Sequence, residues 1–255
     1  MLGRDITDDA VLGGRLRLQQ PKRGHRVGHD AILLAAACPA RAGERVVDLG
    51  AGVGAAGLAL AARADDVIVT LVEIDAGLAA LAAANAERNG LAARVRVAAL
   101  DVAAPARAFA AAGLAPESVA RVLANPPFND PVRQRASPDR RRRLAHVGPR
   151  GTLAAWIKTA ARLLRPRGTV TLIWRADGLA DVLDVLAAGF GAVTVLPVHP
   201  KPGEPAIRIL VRATKGSRAP LAVLPGLVLN DRSGGPTQEA ESVLRGGAVL
   251  PLAKI

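Results

Sequence analysis

Arg45-Val46-Val47-Asp48-Leu49-Gly50-Ala51-Gly52-Val53-Gly54 decides the fold. A short apolar run that ends in three alternating glycines is how a buried strand passes into a helix through a tight turn. Working outward, the chain reads as strand Arg45–Leu49, helix near Ala55–Arg63, strand Val67–Glu73, helix near Gly77–Asn89 and strand Arg94–Ala98. The series continues with a short helix near Arg107–Ala112 and strand Val119–Ala124. After a loop rich in proline and arginine come helix Thr152–Leu164, stopped by Pro166 and Gly168, strand Thr169–Trp174 and helix Asp177–Ala188. Strands that alternate with helices build a mainly parallel sheet through right-handed crossovers. The last two strands, near Val193–Val198 and Ile207–Ala213, are joined only by Pro200-Lys201-Pro202-Gly203-Glu204-Pro205. That link is too short for a crossover helix, so the final strand must run backwards.

Toward the N-terminus, Val11-Leu12, Gly13-Gly14 and the alternation of Leu16 and Leu18 with arginines predict a hairpin lying over the core. Asp30 is placed as an N-cap for a short helix that Pro39 stops. The expected organisation is a single domain: hairpin extension 1–29, catalytic core 30–230 and C-terminal tail 231–255, with Ser233-Gly234-Gly235-Pro236 as a loop.

A chain of 255 residues is long enough to bury one substantial α/β core. No apolar stretch reaches the roughly 18–20 residues a membrane helix needs. Met1 to Ala10 carries Asp5, Asp8 and Asp9 and no apolar signal core, and Cys38 is the single cysteine, so the expectation is a cytoplasmic protein without disulfides. His25, His29, His146 and His199 are scattered without partners at ligand spacing, so no metal site is expected. The net charge of +12 points to an anionic partner, RNA foremost, although heavy use of alanine and arginine and the lack of tyrosine also fit a general compositional bias. Location is more informative. Between Pro131 and Arg150, Arg133, Arg135, Arg140, Arg141, Arg142, Arg143 and Arg150 face Asp139 alone, so this segment holds half the net charge. Such a run repels itself until an anion neutralises it.

Gly50, Gly52 and Gly54 let the backbone turn and approach a ligand, a feature that nicotinamide, flavin and S-adenosylmethionine sites share. Asp48 discriminates among them. A carboxylate at the head of the turn repels a pyrophosphate and attracts a sulfonium with its ammonium group. Glu73, 19 residues after Gly54, stands where a carboxylate accepts from both ribose hydroxyls, with Asp75 as its competitor. Asp101 after the third strand is placed to accept from an adenine amino group, or else serves as a cap or solvent-facing acid. Asn125-Pro126-Pro127-Phe128 follows the fourth strand, at the carboxyl edge where open α/β sheets bind ligands. Two prolines stiffen this backbone. The Asn125 side chain and the Pro126 carbonyl then face a planar amine with fixed acceptors, and Phe128 stacks on its base.

These motifs, in this order, resemble small-domain methyltransferases that modify amino groups on nucleobases or glutamine. The nearest resemblance is to the bacterial tRNA1(Val) adenine-N(6) methyltransferases, carried also by Gln20-Pro21-Lys22-x-Gly24-His25-Arg26-Val27-Gly28-His29-Asp30 and by Pro200-Lys201-Pro202-Gly203-Glu204-Pro205-Ala206 with Lys215-Gly216. The resemblance covers most of residues 6–230. It implies a class I (Rossmann-like) methyltransferase fold with S-adenosyl-L-methionine as cofactor and tRNA as partner. It also implies that Arg26, Gly28 and Asp30 close over the methionine part of the cofactor, that Asn125 contacts cofactor as well as base, and that Lys201 joins the arginines in binding RNA. Phe128 departs from the tyrosine common in relatives, and the arginine run is heavier than theirs.

Three other readings compete. A release-factor type glutamine methyltransferase shares the Asn-Pro-Pro tetrad but carries a helical N-terminal domain that the first 40 residues are too short to form. A non-catalytic RNA-binding protein does not need an intact Asn125-Pro126-Pro127-Phe128. A nicotinamide oxidoreductase conflicts with Asp48 and with the reversed last strand.

Overall fold

The computed structural model describes residues 6–23, 26–127 and 149–254. Strands β1 (Ile6–Val11) and β2 (Leu16–Pro21) form the expected antiparallel hairpin, turned by Leu12–Gly14. Leu12, Leu16 and Leu18 are buried, so this hairpin covers the core instead of standing away from it. Helix α1 (His29–Ala37) follows. Its N-cap is Gly28, not Asp30, which lies inside the first turn.

The main sheet takes β3 (Arg45–Leu49), β4 (Ile68–Glu73), β5 (Val95–Ala99), β6 (Val119–Ala124), β7 (Leu164–Arg175), β8 (Phe190–His199) and β9 (Arg208–Lys215). Their spatial order is β8-β9-β7-β6-β3-β4-β5. β9 is antiparallel to both β7 and β8, and the pairs among β7, β6, β3, β4 and β5 are all parallel. Six strands therefore run one way and the last runs back, as the short Pro200 to Pro205 link requires. The structure adds what the sequence reading lacked: two-residue strands β10 (Ala222–Val223) and β11 (Leu227–Val228) on the edge of β8.

Strand side chains alternate between faces. Val46 belongs to one buried cluster, with helices α1, α2 (Ala55–Arg63) and α3 (Ala76–Arg88) and the hairpin leucines. Val47 and Leu49 belong to the other, with α4 (Ala106–Ala111), α5 (Pro149–Leu163) and α6 (Leu179–Leu186). The sheet is thus covered on both sides, which explains why the central strands β3, β4 and β6 are mostly apolar. Residues 238–254, expected as tail, include helix α7 (Gln238–Leu244), whose first turn Thr237 caps by accepting from Ala240 N at 3.1 Å. Leu250 N donates to Ala36 O at 2.8 Å, tying this segment to α1.

Candidate functional site

Leu49 and Ala124 are cross-strand partners at the carboxyl ends of β3 and β6. The glycine turn and Asn125 therefore begin side by side. The turn is fastened from three directions: Gly54 N to Ala51 O at 2.8 Å, Ala51 N to Val72 O at 2.9 Å, and Gly52 N to the Glu73 carboxylate at 2.8 Å. Gly50 and Gly52 both have positive φ, 62° and 58°. Their reasons differ. A Cβ at Gly50 would run into the Trp156 ring of α5, whereas one at Gly52 would meet open space. Gly52 is thus where a ligand can approach the backbone, and Gly50 is where a helix does. Gly50→Ala is expected to destabilise the fold by about 3 kcal/mol, combining left-handed strain with overpacking. Urea unfolding measures this, and Trp156→Leu in the same chain should recover part of the loss.

Asp48 shares the face of Val46, because it stands two positions further along the same strand. It consequently points at α2 and accepts from Gly57 N at 2.8 Å, with only 2 % of its surface exposed. Burial pushes its carboxyl up to about 7; the Gly57 bond opposes the rise and the negative charge of Glu73 adds to it. Glu73 is 7 % exposed and receives Gly52 N on one oxygen and Asp75 N, at 2.9 Å, on the other. Each carboxylate oxygen keeps a second lone pair for a hydroxyl donor. Asp75 is occupied differently. It caps α3, accepting from Gly77 N at 2.8 Å and Leu78 N at 3.0 Å.

Between the two acids stands Ile74, which sequence reasoning missed. It is 67 % exposed, a large apolar side chain in water directly after a buried carboxylate. The only sequence cue was its place in Val72-Glu73-Ile74-Asp75. Asp101 is exposed and accepts from Ala103 N at 2.8 Å, so a local turn occupies one of its oxygens. A carboxylate with lone pairs left for hydroxyl donors, an exposed apolar side chain and an open glycine backbone together suit a nucleoside with a cationic tail. The donor set fits S-adenosylmethionine.

The lead-in segment reaches the same edge. Arg208, at the start of β9, pairs in register with Arg175 at the end of β7 and holds Asp30 at 3.0 Å. Arg26 pairs with Asp9 at 2.9 Å. Gly28 has an extended backbone, φ −116°. Asn125 is half-buried, Pro126 buried and Pro127 exposed. Lys201 is exposed just beyond β8. Phe128, Arg133, Arg135, Arg140, Arg141, Arg142 and Arg143 lie outside the described residues. Among the described residues no group of His, Cys, Asp or Glu is arranged to hold a metal, and no helix is long and apolar enough to cross a membrane.

Residues 25–201 match the family described as methyltransferase small domain. A tRNA1(Val) (adenine(37)-N6)-methyltransferase of Bacteroides fragilis is 30% identical over 193 residues, covering 74% of this chain and 77% of the relative. A solved structure of a predicted O-methyltransferase from Agrobacterium tumefaciens is 32% identical, with TM-score 0.73, over 87% of this chain and 98% of that one. The 16S rRNA N2 G1207 methyltransferase of T. thermophilus, solved with S-adenosylmethionine and guanosine, has the same fold at 21% identity and TM-score 0.53, over 84% of this chain and 46% of that one.

Proposed function

This chain belongs to the methyltransferase small-domain family, and from that premise we propose that it methylates the N6 amino group of an adenine in tRNA. That it is an S-adenosylmethionine-dependent methyltransferase follows from the family; the acceptor is the step beyond. The observation that carries the reading is the register of Leu49 against Ala124, which sets Asn125-Pro126-Pro127 beside the glycine turn. The name of the Bacteroides relative supports the same acceptor.

In this reading Glu73 accepts from the ribose hydroxyls, Ile74 covers one face of the adenine of the cofactor and Asp101 receives its amino group. Gly50, Gly52 and Gly54 shape the cradle, and Asp48 adds negative potential behind it. Arg26, Gly28 and Asp30 border the methionine end. The cofactor, when bound, supplies an electrophilic methyl group on a sulfonium. Asn125 Oδ1 and the Pro126 carbonyl accept the hydrogens of the target amine, turning its lone pair out of conjugation and toward the methyl carbon. Methyl transfer to the nitrogen would leave a surplus proton there, which would pass to solvent. No strong base is needed, and alignment provides much of the acceleration. Phe128 stacks on the base, which must be unpaired or extruded to reach the methyl. A cytoplasmic location goes with a tRNA substrate.

A cell extract incubated with the enzyme and labelled cofactor tests the acceptor class. Label in a nuclease-sensitive, protease-resistant fraction of tRNA size supports the proposal, and protease-sensitive label would replace it with a protein acceptor. The arginines Arg133, Arg135 and Arg140 to Arg143, with Lys201, are assigned to phosphate binding. Replacing Arg140 to Arg143 by glutamine should weaken tRNA binding and flatten its dependence on log salt, by roughly 0.7 to 0.9 for each phosphate no longer neutralised. Cofactor affinity should stay the same, and an unchanged salt slope would remove these arginines from the interface.

A further inference from the structure

Asn85 sits inside helix α3, where asparagine is a poor helix former, and it is completely buried. A buried amide in that place needs partners. Its Oδ1 accepts from Gln19 N at 2.7 Å, and its Nδ2 donates to Gln19 O and to Val53 O, both at 3.0 Å. Gln19 belongs to β2 and Val53 to the glycine turn. One side chain therefore welds the hairpin to the cofactor cradle.

The next residue of β2 holds the opposite wall. Gln20, 2 % exposed, accepts from Val27 N at 2.8 Å through Oε1 and donates to Asp9 at 2.7 Å through Nε2. Asp9 also takes Arg26 at 2.9 Å and Thr7 at 2.6 Å. Thus β2 fixes the turn at Val53 through its residue 19 and the lead-in at Arg26 and Val27 through its residue 20. Two walls on one strand keep one spacing.

We propose that Asn85 and Gln20 are positioning residues for the cofactor, using β2 as the spacer between the glycine turn and the lead-in segment. The inference rests on the reading that these two segments flank S-adenosylmethionine, and it does not depend on the identity of the acceptor. Asn85→Asp keeps the acceptor for Gln19 N but turns a charge on the carbonyls of Gln19 and Val53. Gln20→Leu leaves the Asn85 bridge intact and releases Val27.

The test is calorimetric titration of the full chain with S-adenosylmethionine, at a temperature where circular dichroism shows each variant folded. Both variants should bind about tenfold more weakly, equivalent to ~1.4 kcal/mol. At saturating cofactor, kcat and the KM for acceptor RNA should stay near the wild-type values. Phe109→Leu, at a fully buried position in α4 on the other face of the sheet, supplies the comparison: it should lower the melting temperature without moving cofactor affinity. If Asn85→Asp fails to fold, Gln20→Leu carries the same prediction. Variants that melt lower yet bind cofactor as the wild type does would reduce Asn85 and Gln20 to ordinary core hydrogen bonds. Failure of the wild type itself to bind would instead overturn the cofactor cleft, and the spacer with it.

Discussion

Asn125→Ala is expected to lower the rate of methyl transfer by about 10²- to 10³-fold, the usual loss when one preorganised polar group facing a transition state is removed. The expectation follows from position. Asn125 leaves β6 next to Gly50 at the carboxyl edge of the sheet, and the buried Pro126 after it stiffens its backbone. Glu73, the glycine turn and Ile74 remain in the variant, so cofactor affinity should change by no more than a few-fold even though Asn125 is counted among the cofactor contacts. Single-turnover rates at saturating cofactor separate the two effects. Asn125→Asp keeps one acceptor but brings a charge, and it should fall between wild type and alanine. Retention of near wild-type turnover by the alanine variant would take the acceptor site away from this motif.

The second large effect is on stability against pH. Asp48 has its carboxyl raised from 3.8 to about 7, chiefly by burial. A raised carboxyl favours the protonated folded state. Its stabilising share is therefore complete below pH 3.8 and is lost as pH rises toward 7, after which nothing further changes. Three units correspond to about 4 kcal/mol, an order-of-magnitude figure. Asp48→Asn retains an oxygen for Gly57 N and cannot ionise. Denaturant unfolding without cofactor should show the wild type losing stability between about pH 4 and 7 relative to the variant, with the variant the more stable at about pH 8. The same variant should bind S-adenosylmethionine less tightly at that pH, since the negative potential behind the turn is gone. Parallel pH profiles for the two proteins would show that Asp48 does not titrate in this range.

The sheet was legible because two periodicities, strand and helix, alternate cleanly from Arg45 to Trp174, and because the Pro200 to Pro205 link is too short for a crossover. The edge strands β10 and β11 were not. Each has two residues, β10 between Pro220 and Pro225 and β11 just after Pro225, and they exist only because β8 offers an open edge. The C-terminal segment looked like a tail since Val243, Leu250 and Leu252 are too irregularly spaced to announce that they join the buried cluster around α1. At the site, the places of Glu73 at the end of β4 and of Asn125 directly after β6 could be read from spacing. The direction of Asp48 could not, although strand alternation determines it once Val46 is known to face α2. Asp75 and Asp30 were both ambiguous because aspartate caps helices and binds ligands with the same oxygens. Here Asp75 caps α3, and Asp30 yields the cap to Gly28 and pairs with Arg208. Asn85 gave no signal at all, since its partners are the backbones of residues 66 and 32 positions away.

The most direct test is transfer of a labelled methyl group from S-adenosylmethionine by the purified protein to unmodified bulk tRNA, followed by digestion to nucleosides. N6-methyladenosine should be the labelled product. Label on a ribose oxygen, on another base or on no nucleoside in tRNA, despite measurable cofactor binding, would contradict the proposed acceptor.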